Sequence, residues 1–388
     1  MIFFAVLFWI TLLLGQLGAI PLGRGVILYV QDIVLCLMII TAVVRYKLFV
    51  KIRELRLIRP IALFAGLGVL SLVVNANHYP IGVIGKGSLY LLRWMVYAGM
   101  YGVVIASPLP KKFWIWWLGS FGIALSAIGL VQFFVYPDLR NLWYLGWDPH
   151  YYRVFATLLD PNYVGILLVL TIFVWIYIWV NNKKLRIWFV PLFMIAGAAL
   201  ILTYSRSSYL ALIGGTSVVI GFLKRWKIGL ILILTFLVAI VYSPKPGGDT
   251  LSLDRYDSSV ARIQNWGQTI TRIRERPVFG YGFNVVPFLD KEAASALPGR
   301  SGAGIDSSIL FVAATTGIVG LASYFWLMGN QLALARSKDS ALTMILYASM
   351  TAIAVHSLFL NSLFYPWVMV WMWVLLGTIE KSEARNSK

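Results

Sequence analysis

Apolar runs of membrane-spanning length follow one another along this chain, separated by short polar gaps and by one long polar interval, residues 243–306. A helix needs roughly 20 apolar residues to cross about 30 Å of hydrocarbon. Runs near that length predict spans at Phe3–Ile20, Val26–Val44, Ile61–Val74, Leu89–Ala106, Phe113–Val135 and Tyr163–Val180, then at Ile187–Thr203, Tyr209–Phe222, Ile228–Val241, Ser308–Met328, Ala341–Leu358 and Tyr365–Ile379. The first run has no charged leader and no small-residue cleavage site, so a retained helix is expected there. Inside the long interval the period changes. Val260, Ile263, Trp266, Ile270 and Ile273 recur every three or four residues, and Arg262, Asn265, Thr269, Arg272 and Arg276 line an adjacent polar face. Asp257-Ser258-Ser259 offer N-caps and Pro277 with Gly280 a stop, which predicts an amphipathic helix lying in the outer membrane–water interface. The expected fold is all-α: a polytopic membrane protein of about 12 transmembrane helices, one membrane domain over 1–388, with a long outward-facing loop, 243–306.

Composition agrees, with 60% hydrophobic and 12% charged residues, which excludes an ordinary soluble domain. The net charge of +18 changes meaning once it is mapped. Of 33 basic residues, 19 fall in alternate gaps and the C-terminal tail, six lie at the opposite ends of the spans, and eight sit in the long loop. Basic residues concentrate in cytoplasmic loops, so both termini are expected in the cytoplasm and the loop outside. The charge then needs no nucleic-acid partner. The single cysteine, Cys36, excludes an internal disulfide, and three separated histidines offer no metal cluster. No metal and no cofactor are expected.

The polar residues near span ends are the candidates for chemistry. Arg206 lies in Leu202-Thr-Tyr-Ser-Arg-Ser-Ser-Tyr-Leu210 between two apolar runs. An ionisable group there lines a cavity, finds a partner, or snorkels to the headgroups, and a guanidinium fork suits diphosphate oxygens. Arg93, in Leu91-Leu-Arg-Trp-Met95, is similarly placed. Asp306, just before Ser307-Ser308, is either an acceptor-activating base or a helix cap. Asp160, in Asp160-Pro-Asn162, poses the same choice with the cap favoured. His356, alone on an apolar helix, reads first as a hydrogen-bonded structural residue.

Several of these motifs together resemble the bacterial O-antigen ligase and polymerase family. They are Arg153-Val-Phe-Ala-Thr157 through Asp160-Pro-Asn162, Leu202-Thr-Tyr-Ser-Arg206, Arg262 to Trp266, Arg276-Pro-Val-Phe-Gly-Tyr-Gly282, and Asp306-Ser-Ser308 followed by Gly317-Ile-Val-Gly320. The resemblance spans roughly Arg153 to Gly320, and the order of the motifs carries it more than any one of them. It implies a GT-C-type membrane glycosyltransferase that takes a glycan from a polyprenyl (undecaprenyl) diphosphate carrier at the outer face of the cytoplasmic (inner) membrane. By the same resemblance, Arg206 and Arg262 would bind the diphosphate and act with Asp306 as the catalytic set. Arg93, Arg153, Arg272, Arg276, Asp160, Asn162 and His356 are the accompanying candidates for substrate binding. Ligases of the family carry a histidine where this chain has Asp306, which favours a polymerase or a ligase with another acceptor. The implied partners are the carrier-linked oligosaccharide donor, a glycan or lipid-linked acceptor, the lipid bilayer and a chain-length regulator. The expected reaction is metal-independent and inverting. The rival readings are a transporter of a small solute or lipid-linked glycan, which should place charges near the bilayer midplane and show repeat symmetry, and a non-catalytic envelope scaffold.

Overall fold

A computed structural model describes residues 1–23, 26–244, 246, 256–289, 304–334 and 339–386. The chain opens with helix α1 (Ile2–Leu14) and a hairpin of strands β1 (Ala19–Gly23) and β2 (Val26–Tyr29). Helices α2 (Val30–Tyr46), α3 (Ile58–Val74), α4 (Ile81–Ala106), α5 (Lys111–Val135), α6 (Pro161–Asn181) and α7 (Val190–Ile201) follow. Next come α8 (Arg206–Leu223), α9 (Trp226–Val241), α10 (Tyr256–Glu275), α11 (Ser308–Ala333), α12 (Ser340–Ser357) and α13 (Pro366–Asn386). The protein is an all-α membrane protein, and each apolar run of the sequence falls on one of these helices. Six of them, α4, α5, α6, α8, α11 and α12, are long and apolar enough to cross a membrane, and four shorter apolar segments accompany them.

The helices differ in what they face. The α6 side chains are buried on nearly every side, as expected for a helix that is apolar all round. The α9 side chains are the opposite, with Leu230, Ile231, Leu232, Leu234 and Val238 exposed; in a bilayer that surface meets lipid. Lipid gives helices no hydrophobic reason to associate, so close packing and hydrogen bonds must hold them. Three indole N–H groups donate across helices: Trp117 to the Ala5 carbonyl (2.9 Å), Trp175 to that of Gly119 (3.1 Å) and Trp367 to that of Leu12 (2.9 Å). The ends predicted to share a side meet one another. Lys111 pairs with Asp339 at 3.2 Å and Arg56 with Glu383 at 2.5 Å, all in segments assigned to the basic side.

The hairpin departs from the all-α expectation. The first run stops at Leu14 because Gly15 takes φ 58° with Thr157 packed where a side chain would stand. The second run divides at Tyr29, whose N–H donates to Asp32 at 3.0 Å in a capping box that starts α2.

The loop helix also differs from its prediction. It begins at Tyr256, so Asp257-Ser258-Ser259 lie within its first turn. Its polar face is not turned wholly to water: Thr269 is buried and Arg262, Asn265, Arg272 and Arg276 are partly buried, as are Val260, Trp266 and Ile273, while Ile263 and Ile270 are exposed. The physical reason is that α10 runs parallel beside the first half of α11. Asn265 bonds to residues 304 and 306, before α11 begins, and the Pro277 carbonyl, just past α10, accepts from Ile318 N–H at 2.8 Å.

That last bond marks a break in α11 at Gly317, which adopts φ 68° and ψ −169°. The Ala314 and Thr315 carbonyls turn outward and accept from the N–H groups of Tyr281 (2.9 Å) and Gly282 (3.1 Å). The segment after Arg276 and the Gly317 motif thus complete one another. A Cβ at Gly317 would stand 2.1 Å from the Val278 carbonyl oxygen. Gly317→Ala is expected to cost about 1–3 kcal/mol from the backbone conformation alone, lowering the melting temperature in detergent. Gly329→Ala on the same helix, where the added methyl meets open space, should leave it unchanged. Equal melting temperatures for the two variants would refute this account of the break.

Candidate active site

The turn before α8 is built to a narrow specification. Tyr204 holds a left-handed φ of 49°, and Ser205 caps the helix by accepting from Ser208 N–H at 3.4 Å. Arg153 is buried beside it and donates to the Thr203 carbonyl (2.8 Å) and the Tyr204 carbonyl (3.3 Å), while Val154 N–H donates to that of Leu202 (2.8 Å). The Arg153 motif therefore braces the Ser-Arg turn. That turn places Arg206 and Ser207 in the wall of a cavity of about 340 Å³. Leu210 of α8, Arg262, Ile263 and Trp266 of α10, and Phe359 line the same cavity. Two arginines 56 residues apart in sequence share one cavity. Arg206 also stands at the first position of α8, where the helix dipole disfavours a cation.

Asp306 lies beside this cavity. Its backbone N–H donates to the Asn265 side chain at 3.1 Å, and Asn265 in turn donates to the Gly304 carbonyl at 2.9 Å. The N-cap position of α11 is Ser307, and no side-chain cap bond forms there, so Asp306 does not cap the helix. Burial pushes its carboxyl up to about 6, against the lowering effect of Arg262, and Asp148 raises it further. Asp160 behaves differently. It is the N-cap of α6, accepting from Asn162 N–H (2.7 Å) and Tyr163 N–H (3.4 Å), and burial raises its pKa. The two aspartates that the sequence left ambiguous are thus separated by geometry.

Behind the cavity, hydroxyl groups tie several helix ends together. Ser205 Oγ donates to Asn162 Oδ1 at 3.0 Å, and Ser208 Oγ donates to the Asn162 carbonyl at 3.2 Å. His356 is fully buried, with Nε2 3.3 Å from Ser208 Oγ and Nδ1 2.6 Å from Ser362 Oγ. Ser308 Oγ donates to the Leu360 carbonyl (3.3 Å) and accepts from Leu363 N–H (3.1 Å). Tyr163 and Tyr365 stack with centroids 3.7 Å apart. The starts of α6, α8, α11 and α13 converge here, and each contributes the positive end of a helix dipole.

The other sequence candidates lie elsewhere. Arg93 pairs with Asp32 at 3.0 Å, donates to the Ile27 carbonyl and faces the Tyr29 ring at 5.3 Å, so it fastens the hairpin to α2 and α4. Arg276 donates to Asn75 Oδ1 and sits over the Tyr79 (5.4 Å) and Tyr281 (5.0 Å) rings. Arg272 is half-buried on the same stripe of α10. Sequence reasoning missed Asn265 as the clip on Asp306. Its place on the polar face was the signal, but nothing in the sequence paired it with residue 304. Asp148 was missed outright, because in a Trp- and Tyr-rich segment it gave no periodic signal.

A comparison with curated proteins finds no match. Residues 191–325 match a family model described as O-Antigen ligase, a stretch that contains Arg206, Arg262, Asn265, Asp306 and Gly317. With the cavity and the braced Ser-Arg turn, this match supports assigning the chain to the O-antigen ligase/polymerase family.

Proposed function

We propose that this protein transfers a glycan from a polyprenyl diphosphate carrier to a sugar hydroxyl of a glycan or lipid-linked acceptor, at the outer face of the cytoplasmic membrane. The family match supports glycan transfer in O-antigen assembly by a multi-pass bacterial membrane protein. The observation that carries the finer reading is the single cavity lined by both Arg206 and Arg262. The acceptor oxygen attacks the anomeric carbon, and the bond from that carbon to the diphosphate oxygen breaks. Its electron pair leaves with the diphosphate, and the acceptor proton passes to the Asp306 carboxylate. A single displacement of this kind inverts the anomeric centre. Charge grows on the leaving diphosphate, and fixed guanidinium groups in a sheltered site stabilise it without reorganisation and without a metal. The converging helix starts add to the same field.

In this scheme Arg153, Asp160, Asn162 and His356 are positioning residues, since protein groups take up their hydrogen bonds. Arg272 and Arg276 continue the inward stripe away from the cavity, towards the side left for the acceptor. Both termini are cytoplasmic and α10 is outside, following the basic-residue bias.

Arg206→Lys retains the charge and loses the planar fork. It is expected to insert and fold normally while losing most transfer activity with a lipid-diphosphate donor; full activity would exclude the diphosphate role. Asp306 must be ionised to accept a proton, so kcat/KM should fall as pH drops through about 6. Asp306→Asn should bind donor, transfer at least about a hundredfold more slowly, and lose that pH limb. Near-normal single-turnover transfer by the asparagine variant would end the base assignment. The orientation is tested by a cysteine at the exposed Gln268 in a Cys36→Ser background. An impermeant thiol reagent should label it in intact spheroplasts, and labelling only after lysis would invert the topology.

A further inference from the structure

The turn that joins α8 to α9 carries three cations in four positions, Lys224, Arg225 and Lys227, around Trp226. All four side chains are exposed. Lys224 ends α8 in the left-handed region, at φ 52°, where the chain reverses into α9. The turn is seated on the protein. The Phe222 ring lies 6.0 Å from that of Tyr347 on α12, and a Cβ at Gly229 would stand 2.1 Å from the Ile220 side chain. Several cations at other helix ends are committed to protein: Lys111 pairs with Asp339, Arg56 with Glu383, and Arg186 donates to the Trp179 carbonyl at 3.2 Å. The ion pairs among the described residues include none of Lys224, Arg225 and Lys227, and Lys227 lies 5.6 Å from the Trp226 ring. The 18 residues of α8 span about 27 Å, close to the thickness of the hydrocarbon. The turn therefore stands at headgroup level, at the opposite end of α8 from Arg206.

We propose that this turn binds the headgroup of an anionic phospholipid of the bilayer, with the acyl chains lying along α9. Three like charges in four residues repel one another, and a lipid phosphate placed among them offsets that repulsion. A zwitterionic headgroup brings its own cation and offers no net charge, so the turn selects lipids that are negative overall. Trp226 suits the boundary between headgroups and hydrocarbon. Below it, Leu230, Ile231 and Leu234 of α9 are exposed and supply the apolar surface that acyl chains need. A soluble acidic partner would use the cations and leave Trp226, Phe222 and Leu223, all exposed beside them, without a role. Lipid held here pins the far end of the helix that starts at Arg206. The site is separate from the donor cavity, and lipid binding to it does not depend on the glycan-transfer reading.

Titration of the full-length protein in neutral detergent with dansyl-labelled phosphatidylglycerol, and separately with dansyl-labelled phosphatidylcholine, tests it by energy transfer from tryptophan. The wild type should bind phosphatidylglycerol about a hundredfold more tightly, at about fivefold for each cation. Lys224→Gln, Arg225→Gln and Lys227→Gln should each weaken phosphatidylglycerol about fivefold and leave phosphatidylcholine unchanged. The triple variant should bind the two lipids alike. Arg274→Gln removes the same charge from an exposed position on α10 and should change neither affinity. An equal loss in Arg274→Gln would mean diffuse attraction to net charge and overturn the site, as would a wild type that binds both lipids alike. Glycerol phosphate, the headgroup without its chains, should compete poorly; competition equal to that of unlabelled phosphatidylglycerol makes this a site for soluble anions and overturns the lipid assignment. Phosphatidylglycerol should also raise the melting temperature of the wild type and not that of the triple variant. If the triple variant fails to fold, the three single variants, each at an exposed position, carry the test.

Discussion

Backbone that leaves helical geometry among membrane helices must have its N–H and C=O groups answered by protein, because hydrocarbon offers them nothing. This constraint organises the site. Gly317 breaks α11 and frees the Ala314 and Thr315 carbonyls, and the Gly280–Gly282 turn takes them up. The turn sits at one end of α10, so satisfying the break fixes where that helix lies. At the other end Asn265 answers Gly304 and Asp306. With both ends tied, Arg262 is held in the lining of the cavity that Arg206 shares. The second irregular stretch, residues 202–205, is answered in the same way by Arg153 and Val154.

The electrostatics of the cavity run against stability, and that is informative. A cation at the start of α8 meets the positive end of that helix's dipole, which disfavours it. The converging helix starts raise the cost further. A dianion in the cavity would offset that term. The arrangement makes physical sense as a site stabilised by its ligand.

Much of this was legible in the sequence because hydrocarbon imposes a long, simple period. The positions of the apolar helices needed only run length. Arg206 and Arg262 were identified by motif and brought together by resemblance, and the fold gives them one cavity. The failures share a cause. The hairpin at Ala19–Tyr29 reads as a continuation of two apolar runs, and only Asp32 and Arg93, distant in sequence, reveal why the chain stops being helical there. The α10 stripe looked interfacial because its apolar residues form one face. What decided the orientation was the set of partners waiting for its polar face: Asn75 for Arg276, Gly304 for Asn265, and the cavity for Arg262. Period shows that a helix has two faces, and partners decide which one turns inward.

Asp306 shows how the same burial serves both structure and chemistry. A carboxylate a few ångströms from an arginine in water would be a weak base. Here desolvation outweighs the Arg262 field, and the result is a carboxyl near 6 that remains ionised at neutral pH. Asp160, equally sheltered, spends its oxygens on two backbone N–H groups and so is committed to holding α6. Asp306 keeps its side chain out of the cap because Asn265 restrains it through the backbone instead. The two aspartates therefore differ in which neighbour takes over the task of fixing the chain.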